Sequence, residues 1–390
     1  MTYESLLGHA SEIMRIIRKS PQPADRLMSE FLRAKRYIGA RERRAISGWV
    51  FSCLRVLHQA IELSSDADAD ALQASLMIDH ADRAEIQAAI EHATGTPLTA
   101  HSSPLTAHSS PLTANVQSWI LDSTRTRWPQ DADDVWRAMT ASAPVVLRVN
   151  LRHADRASVI AVLRANGIAC REGAHAPAAI VLEGRVNITE SALYRDGIVE
   201  VQDEGSQMIA LGCDVHEGDH ILDACAGAGG KTLHLADLLR DRGRIVARDI
   251  EWARLKELTP RARRAGLTCV HVQHTRDADN EQFDVVLVDA PCSGLGTARR
   301  SPMVKWRLTP ELAQRHARKQ FKVLTDNAPY VRDGGVLVYA TCSVLPQENE
   351  EVVRAFLQQH ADFTLEAEQQ MDPYHHGTDG LYWARLRRAS

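Results

Sequence analysis

The sequence predicts an α/β protein: a doubly wound, largely parallel sheet in the second half of the chain, preceded by a small α+β module and an all-α N-terminal region. Three observations predict this. From Glu204 onward, apolar runs of strand length alternate with helical segments, in HILDAC (220–225), GRIVARD (243–249), CVHVQH (269–274), FDVVLVDAP (283–291) and GVLVYATC (335–342). Such continuous apolar runs mark parallel strands covered on both faces. Between Asn115 and Gln202, shorter strands, VVLRVN (145–150), AAIVLE (178–183) and IVEVQ (198–202), interleave with the helix-like ADRASVIAVLRANG (154–167) and a short ESALYRDG (190–197), as in a compact α+β unit. From Met1 to about His92, apolar residues recur only at helical spacing, as in LMSEFLRAKRYIG and ERRAISGWVFSCLRVL.

Taken in order, residues 1–95 form the helical domain, 96–114 a linker, 115–202 the α+β module and 203–390 the sheet domain, a division in keeping with a length of 390 residues. Between Arg15 and Arg55 the first helices carry Arg15, Arg18, Lys19, Arg26, Arg33, Lys35, Arg36, Arg41, Arg43, Arg44 and Arg55 against only Asp25, Glu30 and Glu42. That excess is either a solvated helix face or a surface for a polyanion. The linker repeats PLTAHSS at 97–103 and 104–110 and ends in PLTA at 111–114; Pro, Ser and Thr without bulky apolar partners predict flexible chain with no chemistry of its own.

Lys plus Arg total 46 against 50 Asp plus Glu, a formal charge of -4, so any polyanion must be met by local patches rather than by the global field. Cysteines at 53, 170, 213, 225, 269, 292 and 342 are odd in number and scattered, without CxxC pairs. That spacing excludes a disulfide scaffold or zinc ribbon and predicts a reducing cytoplasm. The N-terminus lacks the apolar core of a secretory signal, and no stretch approaches the roughly 20 apolar residues needed to span a bilayer. The sequon at Asn187 is therefore expected to be bare. His375-His376 has no partner at metal-ligand spacing and reads as loop, so no metal is expected.

Two regions of the sheet domain promise chemistry. After the first strand comes DACAGAGGKT (223–232), running into the helical LHLADLLRD, where glycines let backbone N–H groups approach a ligand at a helix N-terminus. A phosphate loop of the form GxxxxGK[ST] needs glycine at Cys225, and a dinucleotide GxGxxG lacks its third glycine. A nucleoside-bearing cofactor remains. Asp249 ends the second strand, either as acceptor for ribose hydroxyls or as N-cap of the next helix. The other region is split between Asp289-Ala-Pro-Cys292-Ser-Gly294 after the fourth strand and Ala340-Thr-Cys342-Ser343 after the fifth. Both lie at carboxyl ends of strands, where such sheets place ligands. If those strands are neighbours, the two thiols converge; singly, each cysteine is more often a packed apolar residue.

VQDEGSQ, DACAGAGGKT, FDVVLVDAPCSGLG, RRSPMVKW and LVYATCSVLPQENE, in this order, resemble the RNA (cytosine-5) methyltransferases of the RsmB/NSUN family. The resemblance runs from about Asn150 through the closing DGLYWARLRR, and more loosely includes a helical N-terminus like the NusB-like domain of its bacterial members. It implies a Rossmann-like S-adenosylmethionine methyltransferase domain after an RRM- or ferredoxin-like module. It further implies a soluble, monomeric cytoplasmic enzyme acting on RNA, most like the family's 16S rRNA enzymes, with no membrane and no metal. Cys342 is then the nucleophile and Cys292 the thiol that assists product release. The implied cofactor pocket is Cys225, Ala226, Gly227, Ala228, Gly229, Gly230, Lys231, Asp249, Thr275 and Asp289.

Cytosine carbon 5 is a poor nucleophile. A thiolate added at carbon 6 makes it enamine-like, and the thiolate can later leave. Asp289, three residues before Cys292, is the candidate acid toward cytosine N3. The target base must be unstacked or flipped to reach a buried thiol. Pro291, Arg300, Lys305 and Arg148 are assigned to the RNA, with Arg299 and Arg307 beside them and Trp306 either stacking on a base or packing in a core. Arg148 is alternatively assigned to the interdomain interface, because LRVN (147–150) resembles the segment that precedes the family's catalytic domain. Arg315, Arg318, Lys319 and Lys322 extend a basic helix face or are merely solvated.

Departures from the family pattern are Ala228 for a loop-stiffening proline, Thr275 for an aspartate that holds adenosine, Arg248 for an apolar residue and Met303 for a common acid. The first two expose cofactor affinity. They keep open a non-catalytic RNA-binding assembly factor; a tRNA methyltransferase of the same family, sharing the chemistry and differing in how the N-terminal region selects its target, is the nearer alternative.

Overall fold

The structure, a computed structural model, describes residues 3–20, 22–62, 116–184, 186–273 and 281–390. The repeat linker at 96–114, residues 63–95 of the helical domain and Thr275 lie outside them. The chain divides into two compact units, Met1–Ser142 with Ala298–Arg307, and Ala143–Thr297 with Leu308–Ser390.

The first unit is helical: Tyr3–Lys19, Ala24–Ala34, Ala40–Glu62, Ser118–Arg125, Ala132–Thr140 and the single turn Val304–Arg307. Tyr3–Lys19 buries Leu6, Ala10, Ile13, Met14 and Ile17, the three- and four-residue spacing that puts apolar side chains on one face. They pack with Met28, Phe31, Leu32, Ile46, Trp49, Val50 and Leu54. Met303 belongs to the same cluster, which explains an apolar residue where the family often has an acid.

In the second unit, β1 (Val145–Val149), β2 (Cys170–Glu172), β3 (Ala179–Leu182) and β4 (Val199–Val201) form a four-stranded sheet in the order β2-β3-β1-β4. All its pairs are antiparallel. Asp155 caps the helix Arg156–Ala165 by accepting the Ser158 N–H at 2.8 Å.

The larger sheet has seven strands: β5 (His220–Asp223), β6 (Arg244–Arg248), β7 (Val270–Gln273), β8 (Phe283–Asp289), β9 (Val331–Thr341), β10 (Phe363–Met371) and β11 (Leu381–Arg388), in the order β10-β11-β9-β8-β5-β6-β7. Strands β5 to β9 are parallel, and β11 and β10 extend the edge antiparallel. The chain order reverses around β5, so the switch point at which open α/β sheets bind ligands lies at the carboxyl ends of β5 and β8. Alternate residues of β8 feed two cores. Val285 and Leu287 meet Leu233, Leu255 and Leu258, while Val286 and Val288 meet Leu324, Tyr339 and Phe356. Among the described residues no helix is long and apolar enough to cross a membrane, and no cluster of His, Cys, Asp or Glu is arranged to hold a metal ion.

Candidate active site

The glycine loop leaves β5 at Asp223. Gly227 and Gly229 adopt φ of 54° and 86°, left-handed conformations that cost glycine nothing. A Cβ at Gly229 would come within 2.2 Å of Leu258, whereas one at Gly230, the first residue of the helix Gly230–Leu238, would meet nothing within 4 Å. The loop thus presses against the fold on one side and opens to free space at a helix N-terminus. Asp249 pins it: one carboxylate oxygen accepts the Gly227 N–H at 2.7 Å and the other the Glu251 N–H at 2.7 Å. Each oxygen keeps a second lone pair for a ligand hydroxyl.

Ala228 is held from its carbonyl side, by Arg261 at 2.6 Å. Arg261 is itself fixed by the buried Glu200 at 2.9 Å, so the missing proline is offset by an arginine–carboxylate brace. Arg248 is buried, donates to Gln273 at 3.1 Å and stacks over Tyr330 at 5.4 Å; an aromatic ring and an amide replace the apolar contacts expected there.

Asp223 is buried, takes a hydrogen bond from Thr232 at 2.6 Å on one oxygen and has no protein partner on the other. Burial pushes its pKa up to about 7, against the Thr232 hydrogen bond. Lys231 reaches across to Asp289 at 2.7 Å. Burial alone would lower the Lys231 pKa, but the Asp289 charge and hydrogen bond raise it, so it stands as an ammonium. Open glycines at a helix N-terminus, a carboxylate with spare lone pairs and an orphaned buried acceptor fit a polar, nucleoside-bearing cofactor. Burial pushes the Cys225 thiol up, so it stays neutral in the loop.

β8 and β9 are adjacent and parallel, pairing Asp289 with Ala340, and this brings the two cysteine segments together. Cys292 Sγ lies 3.1 Å from Cys342 Sγ, and both are free, half-buried thiols. The hydrogen bond with Cys342, then burial, then the charges of Cys342 and Glu348 raise the Cys292 pKa well above the ordinary thiol value. Gly296 stitches the loops: its N–H donates to the Cys342 carbonyl at 2.9 Å, and its own carbonyl accepts the Gly380 N–H at 2.8 Å. A Cβ at Gly296 would sit 1.7 Å from the Gly380 oxygen.

The residues assigned to RNA divide sharply. Arg300 is exposed and Pro291 half-buried beside Cys292. Arg148 is 2% exposed, donating to Gln202 at 2.8 Å and Asp237 at 3.1 Å. That corrects its assignment to RNA, since a buried, paired guanidinium is spent inside the protein, and agrees with its other reading, a tie between the small module and the sheet domain. Lys305 is fully buried, its ammonium 4.8 Å from the Trp306 ring, and is likewise turned away from solvent. Trp306 packs on the helical core and donates to the Leu54 carbonyl at 3.1 Å, the core alternative of its two readings. Arg307 donates to the Ile17, Ser20 and Gln22 carbonyls at 2.7 Å each, closing the end of the first helix rather than facing a phosphate. Sequence reasoning missed Glu200, Arg261 and Glu348. Glu348 stood inside LVYATCSVLPQENE, and its signal was an acid in a segment otherwise read for its cysteine.

Residues 210–387 match the family model described as 16S rRNA methyltransferase RsmB/F, and residues 117–189 match the RsmF/B-like ferredoxin-like domain. This chain belongs to the RsmB/F methyltransferase family. It is 36% identical over 282 residues to the probable ribosomal RNA small subunit methyltransferase B of Bacillus subtilis, covering 66% of this chain and 62% of that protein. To ribosomal RNA small subunit methyltransferase B of Shigella flexneri it is 35% identical over 285 residues, covering 69% and 65%. The chain therefore spans somewhat less than two thirds of the length of these RsmB relatives. Among solved structures, PH0851 superposes with a TM-score of 0.80 at 22% identity over 100% of this chain and 99% of that one. NSun6 from Pyrococcus horikoshii with SFG gives 0.65 at 19% identity over 70% and 98%. Both are likenesses of fold.

Proposed function

We propose that this RsmB/F family member transfers a methyl group from S-adenosylmethionine to carbon 5 of a cytosine in RNA, with 16S rRNA as the substrate. The observation that carries the reading is the approach of two free thiols to 3.1 Å at the carboxyl ends of β8 and β9, one strand away from a glycine loop built for a cofactor. The chemistry also requires a methyl donor there, and the fold relative NSun6 holds SFG, an analogue of S-adenosylmethionine. Gly227 to Lys231, Asp249 and Asp289 are the residues that would hold the cofactor, which when bound supplies an electrophilic methyl group.

The chain's own groups do the rest. The hydrogen bond with Cys342 and burial hold the Cys292 pKa well above the ordinary thiol value, and in this reading Cys342 is the sulfur that adds to cytosine carbon 6. Lys231 occupies one oxygen of Asp289, leaving the other for the N3 edge of the base, with the ammonium as the adjacent proton source. Carbon 5 then passes its proton to water, the carbon 6–sulfur bond breaks with its electron pair going to Cys342, and the Cys292 S–H donates a hydrogen bond to that sulfur as it departs. In this reading the N-terminal helices form a NusB-like RNA-binding domain whose basic residues meet the phosphate backbone. The test is transfer of tritiated methyl groups from S-adenosylmethionine into rRNA, with bisulfite sequencing to locate the product. Label in 16S rRNA supports the proposal, label in tRNA alone overturns its substrate, and no label in any RNA overturns the activity.

A further inference from the structure

Each of the two cysteines is followed by a serine, and both serines end on one buried carboxylate. Glu348 is fully buried. One of its oxygens accepts the Ser293 and Ser343 hydroxyls. The other accepts the Ser293 N–H at 2.8 Å and the Gln320 amide at 2.9 Å. Its main chain is tied as well, because the Tyr339 hydroxyl donates to the Glu348 carbonyl. The next residue, Asn349, binds Thr341 at 2.6 Å and the Ser343 carbonyl at 3.0 Å.

A buried carboxylate is costly unless several donors satisfy it, and here three of the four donated bonds come from the two cysteine loops. We infer that Glu348 is the positioning residue that sets the distance between the Cys292 and Cys342 thiols, so that the second thiol stands at the first when product is released. The inference about release rests on the methyltransferase reading, whereas the inference about thiol spacing does not.

Thiol spacing can therefore be read without RNA. With hydrogen peroxide, one thiolate takes an oxygen to become a sulfenic acid, and the second displaces it as water, joining the sulfurs and reducing the peroxide to two waters overall. Formation of the 292–342 disulfide in the full chain is followed by peptide mass spectrometry. Glu348→Ala, with a thermal transition confirming the fold, is expected to slow it by about 10²-fold, the loss that a misplacement of roughly 1 Å brings to reacting groups. Glu348→Gln is expected to restore it to near wild type. Its amide can donate to both serine hydroxyls, which can accept as well as donate, and its oxygen keeps the other two bonds. If Glu348→Ala does not fold, Ser343→Ala carries the decision through a single lost tie. Wild-type disulfide rates in the alanine variant, or equal loss in the glutamine variant, overturn the inference.

With RNA and S-adenosylmethionine, Glu348→Ala should accumulate a covalent protein–RNA adduct while Glu348→Gln turns over. Absence of methylation by the wild type would strike the functional reading and leave the disulfide result standing.

Discussion

Cys292 and Cys342 are drawn together by neutral donors converging on the buried Glu348, whereas the glycine loop is held by left-handed backbone and by the Arg261–Glu200 pair. Four hydrogen bonds from neutral donors satisfy Glu348, whereas a single arginine hydrogen bond holds the Ala228 carbonyl of the loop. The thiol end is therefore the rigid part of the site, set for bond making and breaking, and the loop end is the adjustable part that grips the cofactor. Damage at the first should appear in the chemical step, and damage at the second in cofactor affinity.

The largest expected effect separates the two thiols from each other. Cys342→Ala should lose methyl transfer down to the detection limit, on the order of the 10⁶-fold loss seen when a covalent nucleophile is removed, and should form no adduct. Cys292→Ala should still attack, so that a slow-migrating protein–RNA band builds up in denaturing gels while turnover stops. Equal, adduct-free loss in both variants would refute the division of labour.

Lys231→Met breaks the joint between the two regions, because Lys231 belongs to the loop helix and Asp289 to the strand that carries Cys292. A charge-assisted hydrogen bond is worth about 1.5–3 kcal/mol. Both the cofactor Kd and kcat should therefore worsen about tenfold or more, read by calorimetry and single-turnover kinetics. A change in Kd alone would place Lys231 wholly in the loop. Arg261→Ala should affect only the loop: about a tenfold weaker cofactor Kd from the freed Ala228 carbonyl, with kcat at saturation and the adduct behaviour of Cys292→Ala preserved. Loss of kcat at saturating cofactor would erase the distinction between the regions.

How much of this was legible in the sequence follows the same divide. The strands announced themselves through apolar runs, and neighbouring parallel strands were enough to predict that residues fifty positions apart would meet. What holds them was not legible. Glu348 is 55 residues from Ser293 and Arg261 is 61 from Glu200, and no local pattern marks a carboxylate that will be satisfied by another segment. Arg148 misled for the same reason. The LRVN segment leaves it open to RNA or to the interdomain interface, because its partner Asp237 lies 89 residues on, and only the approach of the helix Gly230–Leu238 shows that the charge is internal. Ala228 read as a weakness because its brace, too, comes from elsewhere in the chain.

The smallest effect tests the floor that both regions share. Asp223 sits beneath the loop with a pKa raised to about 7, chiefly by burial. An unfolded aspartate ionises near pH 4. Below that both states are protonated and nothing is lost. Between about pH 4 and pH 7 the unfolded chain has released the proton while the folded chain retains it, so stability falls as pH rises, and above pH 7 the cost is constant. Asp223→Asn removes the titration. The variant should match the wild type in melting temperature at pH 4 and exceed it by an amount on the order of a few degrees at pH 8. An equal gain at both values would mean that shape rather than charge was responsible. The gain should come with weaker cofactor binding, because the unpartnered oxygen of Asp223 is an acceptor that an amide in its place half loses. A site that keeps a buried carboxylate gives up stability to hold an acceptor for the ligand. If Asp223→Asn gains stability and binds the cofactor as tightly as the wild type, that carboxylate serves the fold alone.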